Sequence, residues 1–182
     1  MLERRTIIQM SLAAGTVAVL AALGGVANWL TRQPYERDGW YPIDWPFLRD
    51  AFPPGRAWRG HDLEVYVRPK LGLCGNGETN VVTDEEVDRV SDIDLLDPNY
   101  RPLREGRRIR ITDMFGRSRL YRITAKDGSS RLAEAIAVSY NCDLVVAIVI
   151  GKVDDEATRK FAHAFIETNK VQVFVNKALE GR

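Results

Sequence analysis

The longest stretch free of charge lies at the start of the chain, from Thr6 to Thr31, with Arg4 and Arg5 before it and Arg32 after it. Roughly eighteen apolar residues in a row let a helix cross the hydrocarbon of a bilayer, and Met10 to Ala27 reaches that length with Leu, Val, Ala and Gly. A soluble core helix keeps a charged stripe; this segment has none. Residues 1–31 are therefore expected to be an export signal or a membrane anchor. Ala and Gly outnumber Leu and Ile, which suits a signal core as well as a permanent span.

Residues 32–60 have a different texture. Pro34, Pro42, Pro46, Pro53 and Pro54 interrupt regular structure, while Trp40, Tyr41, Trp45, Phe47, Phe52 and Trp58 make the segment too aromatic for a free linker. Two readings stand: a packed irregular arm wrapped over its own domain, or an interface arm of Trp40, Tyr41, Trp45, Phe47 and Trp58 that meets the membrane surface or a partner.

From residue 61 to residue 182 the polarity alternates as in a folded domain. Leu63, Val65 and Val67 alternate with Glu64, Tyr66 and Arg68, which predicts a half-buried strand. Thr83-Asp84-Glu85-Glu86 is a capping box, so a short helix should run through Val90. Ile109 and Ile111 alternate with Arg108, Arg110 and Thr112, Phe115-Gly116 marks a turn, and Leu120 to Thr124 returns, predicting an arginine-faced hairpin. Gly128-Ser129-Ser130 should cap a helix with Leu132, Ala135, Ile136 and Tyr140 on one stripe. Leu144 to Ile150 is continuously apolar and should be a central strand covered on both faces. Asp154 or Asp155 should start a further helix with Ala157, Phe161, Ala164 and Phe165 inward, and Val171, Val173 and Val175 a last strand. Strand, helix and strand in that order predict a right-handed βαβ crossover with parallel strands. The expected fold is mixed α/β, with helices packed on a mixed sheet.

Charge sharpens this picture. The formal net charge of +1 argues against a generally basic, nucleic-acid-binding surface. That total hides a separation: Gly75 to Tyr100 carries −7 and Arg101 to Arg131 carries +7. Arg108, Arg110, Arg117, Arg119 and Arg122 lie on or beside two paired strands, and guanidinium groups gathered there would hold phosphate, carboxylate or anionic headgroups, or a partner. Ser129 and Ser130 would add backbone donors at a helix start. The competing expectation is that these arginines pair with the acidic segment of the same molecule.

The remaining chemistry is thin. Cys74 and Cys142 are the only cysteines, a candidate disulfide in an exported chain. Asp92, Asp94 and Asp97, with Glu78 and Asp88 nearby, lack the glycine and closing glutamate of a calcium loop, and His61 and His163 sit in no recognisable motif. No catalytic residue, metal site or cofactor is expected.

Glu3-Arg4-Arg5-Thr6-Ile7-Ile8-Gln9 resembles the twin-arginine export signal of bacteria, with paired arginines, one residue and two apolar ones. The resemblance implies a route: an inner-membrane location with the C-terminal domain in the periplasm, residues 6–30 in or through the membrane. The function expected is that of a non-catalytic, membrane-anchored accessory or interaction domain of an envelope complex, with a protein partner. The alternative is a small periplasmic anion-binding protein or enzyme that uses the arginine hairpin.

Overall fold

The computed structural model describes residues 38–47, 52–71, 82–125, 127–140 and 143–180. The expected anchor, Cys74 and Cys142 lie outside the described residues. The chain divides into two units at Tyr41–Pro42, and the second carries the folded domain.

Eight strands form one sheet: β1 (Tyr41–Ile43), β2 (Arg56–Gly60), β3 (Leu63–Lys70), β4 (Arg101–Pro102), β5 (Arg107–Ile111), β6 (Met114–Thr124), β7 (Ser130–Tyr140) and β8 (Asp143–Ile150). Their order is β1-β2-β3-β8-β7-β6-β4, with β5 also paired to β6 beside β4. The pairings from β2 through to β4 and β5 are all antiparallel. Four helices complete the unit among the described residues: α1 (Asp84–Val90), α2 (Ile93–Leu96), α3 (Glu156–Ile166) and α4 (Asn169–Glu180).

Both sheet faces are covered. On one, Val87, Val90 and Ile93 pack with Tyr66, Tyr121, Ala133, Ala135, Ala137 and Ile148. On the other, Trp58 meets Phe165 of α3 and Phe174 of α4 edge-on, at 5.6 and 6.3 Å between centroids. The layers are helix, sheet, helix, and the long strands must be apolar on both sides. β8 is buried throughout, as its apolar run predicts.

Four expectations are corrected. The sheet is antiparallel, and no βαβ crossover is present among the described residues. The segment after Gly128 is the strand β7, not a helix. Its stripe Leu132, Ala135, Ile136 and Tyr140 also fits alternation with small Ala133, Ala135 and Ala137 on the α1 face, where helix and sheet approach closely, and larger Glu134, Ile136 and Val138 on the other. The last segment is helix α4, not a strand. Val171, Val175 and Leu179 recur every four residues and are buried, while Val173 is 52% exposed. Helix α3 starts as expected, with Asp155 accepting from Thr158 N–H at 2.8 Å. Its buried side is Arg159, Ala162, Phe165 and Ile166; Ala157, Phe161 and Ala164 point outward.

Smaller adjustments follow from the layers. β3 is buried on both faces, so Tyr66 and Arg68 are interior rather than solvent-facing. The hairpin turns three residues earlier than expected, at Thr112-Asp113, because Ile111 pairs with Met114. Thr112 has φ +55° there, the left-handed conformation that a tight two-residue turn demands.

Candidate interaction surface

Helix α1 forms where the sequence requires it. Thr83 Oγ1 accepts from Glu86 N–H at 3.2 Å, and Glu86 Oε2 accepts from Thr83 N–H at 2.9 Å. This presents Asp84 and Asp88 to the hairpin. Arg117 Nε donates to Asp84 Oδ1, and Gly106 N–H donates to Asp84 Oδ2 at 2.9 Å. Arg119 Nη1 reaches Asp88 Oδ2 at 2.7 Å, and the Tyr121 hydroxyl donates to Asp88 Oδ1. Burial pushes the Asp84 carboxyl up, but the Gly106 bond and the Arg117 guanidinium outweigh it and hold it below the ordinary carboxylate value. Tyr121 moves the opposite way: burial first, then its bond to Asp88, push the phenol well up. The acidic segment thus answers part of the arginine run within the molecule.

The rest of the run is not answered. Antiparallel register puts Arg117 opposite Arg108 and Ala137, and Arg122 opposite Arg101 and Leu132. Residues that face one another across strands share a side of the sheet. Arg108, Arg110, Arg117 and Arg119 therefore occupy the α1 side, and Arg122 occupies the other with Arg101 and Arg107. Arg101, Arg104, Arg107, Arg108, Arg110 and Arg122 are exposed and make no ion pair among the described residues. Arg110 donates from Nε to Thr112 O at 2.5 Å and lies over the Phe115 ring, 5.5 Å from its centroid. Leu103 and Phe115, 42% and 61% exposed, add apolar area to the same edge. Sequence reasoning named three of these arginines and missed Arg101, Arg104 and Arg107. The available signal was the arginine density from residue 101 onward; which of them α1 neutralises is decided by the tertiary fold.

The other candidates fall elsewhere. Ser129 and Ser130 are not at a helix start: Ala125 N–H bonds Ser129 O and Gly128 N–H bonds Ala125 O, both at 2.8 Å, closing the β6–β7 turn. The backbone donor of Ser129 is spent on Asp127 Oδ1 at 2.9 Å. Among the arm residues, Trp58 is enclosed in the core and Trp40 is buried, while Tyr41 is 47% exposed. Trp45 and Phe47 are half-buried and contact one another edge-on at 4.8 Å and Tyr66 at 6.2 and 5.7 Å. The Trp45 ring lies where a Cβ on Gly55 would stand, so only glycine lets the arm close there.

The acidic residues weighed as metal ligands diverge. Asp92, at φ +63°, is buried between Lys70 Nζ at 2.5 Å and Arg68 Nη1 at 3.3 Å. Asp97 accepts from Thr124 N–H at 2.7 Å and Asn99 N–H at 2.8 Å, bonds that hold its carboxyl below the ordinary value. No group of three or more His, Cys, Asp or Glu side chains among the described residues is arranged to hold a metal ion. Among the same residues no helix is long and apolar enough to cross a membrane.

No protein-family model matches the chain, and no curated protein matches it. Among solved structures, the solution structure of cyanobacterial PsbP (CyanoP) from Synechocystis sp. PCC 6803 is similar at 14% identity and a TM-score of 0.45, over 69% of this chain and 77% of that one.

Proposed function

We propose that the chain is a non-catalytic accessory or interaction domain. It is held at the outer face of the bacterial inner membrane by residues 6–30 and engages an acidic surface of a protein in an envelope complex. The observation that carries this reading is the unneutralised edge of β4, β5 and β6, with six exposed arginines beside Leu103 and Phe115. Interfaces concentrate arginine and aromatic residues, and charges at a rim steer a partner of opposite sign.

The rival reading, an anion-binding protein or enzyme built on the hairpin, draws less support. It needs convergent guanidinium groups, whereas Arg122 is on the opposite side from the other four and Arg117 and Arg119 already hold carboxylates.

A photo-crosslinking residue placed at Phe115 in intact cells tests the proposal, with one at Phe161, exposed on α3, as the control. The expected result is a discrete adduct from position 115 only, lost in Arg107→Glu/Arg108→Glu and weakened as ionic strength rises. Equal adducts from both positions, or an adduct indifferent to the double reversal, would overturn it.

A further inference from the structure

A cavity of about 350 Å³ opens on the sheet face that carries α1 and α2, within the range that holds small ligands. Ile123, Thr124 and Ala125 at the end of β6 line it, and none of the six exposed arginines of the β4–β6 edge does. Phe47, Leu96, Ile123 and Ile150 supply an apolar body to the cavity. The Phe47 and Tyr66 rings, tilted at 55° with centroids 5.7 Å apart, form an aromatic corner of its wall. At one end the lining turns polar, with Glu64, Asp127 and Arg131.

The sign of a ligand's polar end follows from which of these groups still lacks partners. Glu64 is occupied: Oε1 accepts from Arg59 Nε and Nη2 at 3.0 and 2.7 Å, and Oε2 accepts from the Tyr66 hydroxyl at 2.5 Å. Asp127 is occupied as well. Its Oδ1 accepts from the Ser129 N–H and hydroxyl at 2.9 and 2.5 Å, and its Oδ2 from Arg131 Nη2 at 3.1 Å. Arg131 is the exception. It spends Nε on Ser129 Oγ at 3.3 Å and one Nη2 hydrogen on Asp127, whereas a guanidinium carries five N–H donors in a fork suited to a carboxylate. Its pairing with Asp127 is solvent-exposed on both sides, so it is weak and easily shared.

We propose that this cavity binds a small amphiphilic carboxylate. The apolar or aromatic body lies against Phe47, Leu96 and Ile150, and the carboxylate engages the unused Arg131 donors at the mouth. A cationic end finds a single acceptor position left on each of Glu64 and Asp127, against three unused donors on Arg131, and a neutral end forgoes the charge-assisted bonds.

The test uses the full chain in lipid nanodiscs, with methyl NMR signals of Leu95, Leu96, Ile123 and Ile150 as reporters and three probes of one shape: phenylbutyrate, phenylbutanol and phenylbutylamine. Phenylbutyrate should shift these methyls saturably and bind about tenfold more tightly than either other probe. Arg131→Gln, at an exposed position, should weaken phenylbutyrate about tenfold and leave phenylbutanol unchanged. The proposal is overturned if the amine binds as well as the carboxylate, if Arg131→Gln leaves phenylbutyrate unaffected, or if the methyls of none of the four residues respond up to the solubility limit.

Discussion

At the scale of single residues, the chain holds its charges in two ways. Asp92 is enclosed with Arg68 and Lys70, and the Arg68 guanidinium also donates from Nε to Pro53 O at 3.0 Å, tying the arm to β3. Removing one partner from a buried ionic cluster leaves uncompensated charge and typically costs about 3–5 kcal/mol. Asp92→Ala should therefore lower unfolding stability by about that amount in urea titration, and Asp92→Asn by less, since an amide keeps the hydrogen-bond acceptor and tolerates the left-handed backbone. Asp84 and Asp97 give a pH signature. Both carboxyls sit below their ordinary value in the folded chain, so the unfolded chain binds protons first as pH falls. Their contribution is complete above the unfolded carboxylate value of about 4 and is lost as pH drops through the lower folded values. Asp97→Asn should reduce stability at pH 7 and flatten its decline below pH 4, read from unfolding midpoints across that range. Little of this was legible in the sequence. Arg68 alternates with apolar neighbours as an outward residue would, and only the layer of α1, α2 and arm above β3 makes its position interior.

At the scale of elements, legibility follows how local the determining interactions are. The Thr83–Glu86 capping box closes within one helical turn, so its four residues specify it. Thr83→Ala should cost about 1 kcal/mol, measured by thermal unfolding. The strand β8 declares itself because seven consecutive apolar residues suit only a strand covered twice. β7 and α4 do not, because a short segment can satisfy both periods. Val171 and Val175 fit alternation through Val173 and also stand one helical turn apart, and what decides is the facing layer. Helix α4 lies against β2, where Trp58 accepts Phe174. Val175→Ala should then cost about 1–3 kcal/mol, while Val173→Ala should stay within about 0.5 kcal/mol, since only the former removes buried methyl groups. Equal costs in chemical denaturation would argue for the alternating strand instead.

At the scale of the whole molecule, the blocks of opposite charge legible in the sequence become a neutralised face and a cationic edge. Helix α1 folds back over β6 and cancels Arg117 and Arg119; β5, paired among the described residues only to β6, keeps Arg107, Arg108 and Arg110 exposed. An outer strand carries unpaired backbone groups that invite another strand, and charge along it is a common safeguard. The arginines of β5 can thus be guardians of the edge, a docking surface, or both, and two substitutions separate these roles. Arg108→Thr/Arg110→Thr removes charge and leaves a β-prone Thr-Ile-Thr-Ile edge, so the chain should self-associate, seen as concentration-dependent sedimentation. Arg108→Glu/Arg110→Glu keeps the edge charged, so the chain should sediment without self-association while its crosslink from position 115 disappears. If the edge served protection alone, the glutamate variant would sediment and crosslink as the parent does, because repulsion between like edges does not depend on sign.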